Sequence, residues 1–120
     1  MSYKILIIED EKRIRESIIE FLELNQYVVI GAENGESGIR LAHAEKPDLI
    51  FCDMMMPVID GMGVLKALNS SKLAGTPFIF LTALAQTEEL NTAMSVGAVG
   101  YIFKPFKSKE LLDAIQKWLK

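Results

Sequence analysis

Residues 48–57 read DLIFCDMMMP. A short apolar run, Leu49 to Cys52, stops abruptly on a carboxylate, Asp53, and three methionines and Pro57 follow it. An apolar run of this length without polar alternation is what a strand covered on both faces requires. The pattern predicts a strand over Asp48–Cys52 that delivers Asp53 to its C-terminal tip, where open α/β sheets build their sites.

The same device recurs on both sides of this stretch. YKILII (3–8), YVVIGA (27–32), FIFL (78–81) and VGYIF (99–103) are further runs of strand-forming residues. Helical spacing fills the intervals. Ile14, Ser17, Ile18, Phe21 and Leu22 share one face of a first helix that ends near Asn25. Gly35 to Lys46, stopped by Pro47, reads as a second, with Ile39, Leu41 and Ala42 as its apolar part. A third follows the Asp60–Gly61 turn, with Val64, Leu65 and Leu68 inward. Thr87 to Val96 is a weakly amphipathic fourth helix that Gly97 ends. The fifth starts near a predicted N-cap at Ser108 and carries Leu111, Leu112, Ile115, Trp118 and Leu119.

Strand then helix, five times over, predicts an α/β fold: one doubly wound, five-stranded parallel sheet with helices on both faces. The first, third and fourth strands are the most uniformly apolar and belong in the centre. The second and fifth are more mixed and belong at the edges. The predicted order is 2-1-3-4-5, the flavodoxin-like order, with the winding reversing between strands one and three.

Composition narrows the function classes. At 120 residues, half of them hydrophobic, the chain is expected to form one soluble domain over 1–120. Thirteen Lys and Arg against sixteen Asp and Glu leave a net charge of −3, which argues against direct nucleic-acid binding or an anionic-membrane surface. A single cysteine, Cys52, permits no internal disulfide and makes the cytoplasm the default setting. No apolar stretch reaches membrane-spanning length. The sequence ends just after its fifth helix, which fits either a stand-alone protein or part of a longer one.

In a parallel sheet all C-terminal strand ends lie on one rim. That rim collects Glu9 and Asp10 after strand one, Asp53 after strand three, Thr82 after strand four and Lys104 after strand five. Two like charges about 4 Å apart at an effective dielectric near 20 repel by about 4 kcal/mol, so the three acids need a neutralising partner. Hard oxygen donors in an open site suit Mg²⁺. The backbone carbonyl of Met55 offers one more oxygen. With a cation in place, Asp53 becomes a candidate nucleophile towards a phosphoryl group. Lys104 would neutralise phosphoryl charge, and the Thr82 hydroxyl would hydrogen-bond the product.

With Glu9-Asp10-Glu11, DMMMPVIDG (53–61), LTA (81–83), Gly97-Ala98 and GYIFKPF (100–106) in this order, the chain resembles a response-regulator receiver domain over nearly all its length. The resemblance implies that Asp53 is the phosphoacceptor, Asp10 a direct Mg²⁺ ligand, and Glu9 a second acid acting through water. It makes the Met55 carbonyl a further ligand, Lys104 the phosphate-binding lysine, Thr82 the switch hydroxyl and Tyr101 an aromatic rotamer switch. It also implies a cis Lys104–Pro105 bond. The implied partners are a sensor histidine kinase or phosphotransfer protein and a downstream effector or output domain. The helix 4, strand 5 and helix 5 surface would do the switching and is compatible with a homodimer. The domain would not be an enzyme beyond its own phosphotransfer and autodephosphorylation.

Two apolar residues, Met55 and Leu84, stand two positions after Asp53 and Thr82; the resemblance implies that these positions flank the path of the hydrolytic water, which predicts slow loss of the phosphoryl group. Met55 also counts against an aspartyl phosphatase, which needs an acid there. The acids after strand one count against a flavin carrier, because they repel a phosphate. A receiver-like interaction module not controlled by phosphorylation is the remaining alternative. Elsewhere structural roles are expected: Cys52 a small buried hydrophobe, His43 a surface helix residue, Trp118 an anchor against the sheet.

Overall fold

The structure, a computed structural model, describes residues 2–83 and 87–119. Five strands form one parallel sheet: β1 (Lys4–Ile8), β2 (Val28–Ala32), β3 (Leu49–Asp53), β4 (Phe78–Thr82) and β5 (Gly100–Phe103). Five helices alternate with them: α1 (Lys12–Leu24), α2 (Gly35–Glu45), α3 (Gly61–Asn69), α4 (Thr87–Val96) and α5 (Ser108–Trp118). The strand order is β2-β1-β3-β4-β5, as predicted, with the reversal between β1 and β3.

Successive strand side chains point to opposite faces, so the continuous apolar runs feed two cores. Leu6, Ile8, Ile50, Cys52, Phe78 and Phe80 pack with Val64, Leu65 and Leu68 of α3 and Leu90 and Ala93 of α4. Ile5, Ile7, Leu49, Phe51, Ile79 and Leu81 pack with Ile18 and Leu22 of α1 and Leu111 and Ile115 of α5. β3 and β4 are buried at every position, whereas β2 and β5 leave Val28, Tyr101 and Phe103 exposed, as expected of edges. Among the described residues no helix is long and apolar enough to cross a membrane.

Local chemistry explains the helix starts and corrects one of them. The side chains of Asn34 and Asp60 accept the backbone N–H groups of Ser37 and Gly63, each at 2.8 Å, and so begin α2 and α3. The N-cap of α5 is Lys107, not Ser108. There the Glu110 carboxylate reaches back to accept the Lys107 backbone N–H at 2.8 Å, so a carboxylate three residues into the helix replaces the expected cap hydroxyl. α2 ends before Pro47, at Glu45, because Lys46 takes a left-handed conformation (φ 48°). Trp118 does not anchor against the sheet. It is 38% exposed, with the Lys117 ammonium 5.4 Å from its ring centroid, and Leu111 and Ile115 supply the buried contacts of α5.

Candidate functional site

The sheet pins the strand ends that carry Glu9, Asp53, Thr82 and Lys104 through their backbone. The Glu9 N–H donates to the Ala32 carbonyl at 3.0 Å, and the Lys104 N–H to the Thr82 carbonyl at 2.8 Å. The Met54 N–H, directly after Asp53, donates to the Leu81 carbonyl at 3.0 Å. The ladder therefore continues one residue beyond the strands and holds their ends at a common level. The loop after β3 is fastened below, where the Gly61 N–H donates to the Met54 carbonyl at 2.9 Å.

On this rim Glu9, Asp10 and Asp53 each place a carboxylate oxygen within 4.8 Å of the others. Glu9 is fully buried and Asp53 nearly so, while Asp10 is exposed. The Lys104 ammonium reaches between the two buried acids, 2.7 Å from Glu9 Oε1 and 3.3 Å from Asp53 Oδ2. The other Asp53 oxygen, Oδ1, accepts the Met55 N–H at 3.2 Å. Glu9 Oε2 accepts the Glu11 N–H at 3.2 Å. An open cleft of about 260 Å³ lies over this group, lined by Asp10, Asp53, Met55, Ala83 and Lys104 among others.

Thr82 is buried at the end of β4, its Oγ1 4.0 Å from the Met54 sulfur. Tyr101 stands lower on the edge strand, paired in register with Phe80. Its ring is half exposed and tilted against Phe103, with centroids 5.3 Å apart. The Lys104–Pro105 bond is cis. Met55 is 59% exposed beside the acids, between the buried Met54 and Met56. Leu84, the second residue expected to flank the water path, lies outside the described residues. One contributor had no usable sequence signal: Arg15, one turn into α1, donates to the Glu9 carbonyl oxygen at 2.8 Å and tethers the acidic segment. In the sequence it reads as an ordinary solvated helix charge.

Crowding sets the protonation of the site. Burial pushes the Glu9 carboxyl up to about 7; the Lys104 ammonium opposes this, and the neighbouring Asp53 adds to it. Burial works against the charge on Lys104, but the carboxylates of Glu9 and Asp53 outweigh it and hold the ammonium above its ordinary value. Free Cys52, buried next to Asp53, has its thiol pushed well up by desolvation first and by the surrounding carboxylates second, as an inert core residue.

The Glu9 shift has a measurable consequence for stability. The folded value lies above the ordinary 4.5, so between these values the native state binds more protons than the unfolded chain. Stability is then fully present at low pH and lost as pH rises through about 7. Lys104, raised above 10.5, titrates outside this window. In chelator, urea unfolding should report a loss on the order of 2 kcal/mol between about pH 5 and pH 8. Glu9→Gln should flatten that slope; an unchanged slope would assign the titration to another group.

Two buried acids and one exposed acid, all hard oxygen donors open to solvent on one side, form a set that could hold a small divalent cation. A rim of three carboxylates, a lysine and a hydroxyl, at the switch point of a β2-β1-β3-β4-β5 sheet, is the arrangement of a signalling receiver module. Comparison with known proteins agrees. The response regulator receiver domain family matches residues 5–116, and the chain belongs to that family of two-component signalling domains.

A probable transcriptional regulator, ycf27 of Guillardia theta, is 38% identical over 117 residues, covering 98% of this chain and 45% of that protein. The transcriptional regulatory protein PdtaR of Mycobacterium tuberculosis is 36% identical over 114 residues, covering 94% of this chain and 55% of that protein. The chain thus spans about half the length of the curated relatives it matches. Among solved structures, chemotaxis protein CheY4 of Vibrio cholerae superposes with a TM-score of 0.94 at 31% identity, over 99% of this chain and 100% of that one. The receiver domain of the Francisella response regulator 1452 gives 0.91 at 32% identity, over 98% and 96%.

Proposed function

We propose that residues 1–120 form one receiver unit that accepts a phosphoryl group on Asp53 from a sensor histidine kinase or phosphotransfer protein, with Mg²⁺ required. The observation that carries this reading is the Asp53 carboxylate itself. One of its oxygens is fixed by the Met55 amide and the other by Lys104, beside two further acids. A nucleophile oriented in this way, with cationic charge beside it, is what phosphoryl transfer needs from a protein.

An Asp53 oxygen attacks phosphorus. The new P–O bond forms as the donor's P–N bond breaks, and the imidazole leaves with the electron pair. Glu9, Asp10, Asp53 and the Met55 carbonyl are the residues that would hold Mg²⁺. When bound, the ion supplies charge neutralisation for the acids and for the phosphoryl oxygens. Lys104, already 3.3 Å from Asp53, turns from Glu9 to the phosphoryl group. Thr82 hydrogen-bonds that group, and Tyr101 turns inward from its exposed position, changing the α4, β5 and α5 surface. Phosphorylation selects between two surface states. A separate effector, or an output domain in a longer chain, reads the result, and a homodimer through the same surface fits this scheme. Apart from its own phosphotransfer and slow autodephosphorylation the unit is not an enzyme, and the cytoplasm is its setting.

Incubation with acetyl phosphate and Mg²⁺, followed by intact-mass measurement, should add one phosphoryl group. A chain that takes none and does not bind beryllofluoride is an interaction module outside phosphorylation control. The exposed thioether of Met55 cannot orient a water, so the phosphoryl group should be lost slowly. Met55→Asn supplies a donor and an acceptor and should speed that loss several-fold. Fast loss in the unaltered protein, unaffected by the substitution, would remove Met55 from this role.

A further inference from the structure

A second cleft, of about 360 Å³, opens between the loop after β3 with the start of α3 on one side and the first turns of α4 on the other. Its lining includes Met54, Met55 and Met62 together with Asp60, Glu88 and Glu89. The three acids are all exposed. Neither wall offers a compensating cation: no Lys, Arg or His occurs from residue 47 to 65 or from 73 to 103. Among the described residues none of the three acids makes an ion pair.

Helix chemistry explains part of this. Asp60 caps α3, and Glu88 and Glu89 suit the N-terminus of α4. It does not explain why a thioether surface, with Met55 59% exposed, lies among these acids. Unbranched, polarisable methionines adapt to apolar anchors of varied shape. A cleft at the lower end of ligand-pocket sizes holds a few such side chains.

We infer that this cleft receives a cationic amphipathic helix of a partner protein. The apolar face of that helix rests on Met55 and Met62, and its Lys and Arg side chains meet Asp60, Glu88 and Glu89. Anionic partners, including nucleic acid, are repelled by the same acids. Met54 joins the cleft to the carboxylate rim: it follows Asp53 in the chain, and its sulfur lies 4.0 Å from Thr82 Oγ1. The Met55 amide also holds Asp53 Oδ1. Occupancy of the cleft and the state of Asp53 are therefore linked. That linkage rests on the phosphorylation reading; the binding does not.

The test uses the full chain labelled with ¹³C at the methionine methyls, in chelator and without a phosphodonor, so failure of phosphotransfer cannot imitate failure of docking. The probe is an amphipathic helical peptide of about five turns made of Leu and Lys; the control has the same pattern with Glu in place of Lys. The Met55 and Met62 methyl resonances should shift to saturation with the Lys peptide while Met94, elsewhere on α4, stays put. Glu88→Gln with Glu89→Gln should weaken binding roughly three- to tenfold. Glu16→Gln with Glu20→Gln, at exposed positions of α1, should leave it unchanged. Absence of binding, binding that leaves Met55 and Met62 unshifted, or equal affinity for the Glu peptide would each overturn the inference. So would shifts that follow protein concentration without peptide, which would place a second copy in the cleft.

Discussion

Asp53→Asn is expected to end phosphoryl incorporation: after incubation with acetyl phosphate and Mg²⁺ the intact mass should remain that of the unmodified chain. The amide keeps the shape of the side chain and can still accept the Met55 N–H, but it lacks the anionic oxygen that the proposed transfer requires for attack on phosphorus. Loss of a nucleophile removes an interaction that no neighbour duplicates, so the rate should fall by at least about a hundredfold. The substitution removes one of the acids crowded within 4.8 Å and leaves Lys104 its 2.7 Å pair with Glu9, so the fold should be retained. Thermal stability in chelator should hold or rise. A variant that still gains one phosphoryl group at the original rate would move the acceptor to another residue, and peptide mapping would show whether Asp10 or Glu9 had taken it.

Gly61→Ala is expected to destabilise the packing that positions that aspartate. Gly61 is buried at the start of α3, directly beneath the loop that follows Asp53. A Cβ there would collide with the Asp53 carbonyl oxygen and stand 2.8 Å from both the Met54 Cα and the Phe80 ring. The first two are backbone atoms at the end of β3, where the Met54 N–H donates to the Leu81 carbonyl, and the third belongs to the core, so none can withdraw cheaply. Overpacking of this kind costs about 1–3 kcal/mol, and contact with fixed backbone belongs at the upper end. For a domain of this size, about 3 kcal/mol lowers the midpoint of thermal unfolding by roughly 10 °C. Gly75→Ala is the control, since nothing lies within 4 Å of its added carbon. Equal midpoints for the two variants would show that the loop yields and that Gly61 is not a steric requirement.

Much of the architecture is legible in the residue pattern because its cause is local. DLIFC, KILII and FIFL have no polar side to turn outward, so both faces of each strand must be covered, and a parallel sheet between helix layers does that. The observed strands depart from the expected bounds by a residue at an end: β3 starts at Leu49 and includes Asp53, and β5 starts at Gly100. Such ends depend on hydrogen bonds to a neighbouring strand, which the local pattern does not contain. Ser108 was the better cap by propensity, yet Lys107 holds the position because Glu110 reaches its backbone N–H. Trp118 was the largest apolar side chain available to α5, yet it lies at the surface because Leu111 and Ile115 already fill the inward face.

The candidate site divides in the same way. Sequence alone determined which residues end the strands, and a parallel sheet obliges those ends to share a rim; Glu9, Asp10, Asp53, Thr82 and Lys104 follow from that. Tertiary structure alone decided how they differ. Of two adjacent acids it buried Glu9 and exposed Asp10, and it brought Lys104 to within 2.7 Å of Glu9 from 95 residues away. Of three consecutive methionines it sank Met54 and Met56 into the core and left Met55 beside the acids and the second cleft. Residue type and spacing are local and survive in the unfolded chain. Burial and pairing come from packing between distant elements, and those set the charge on Glu9 and the surface that Met55 presents.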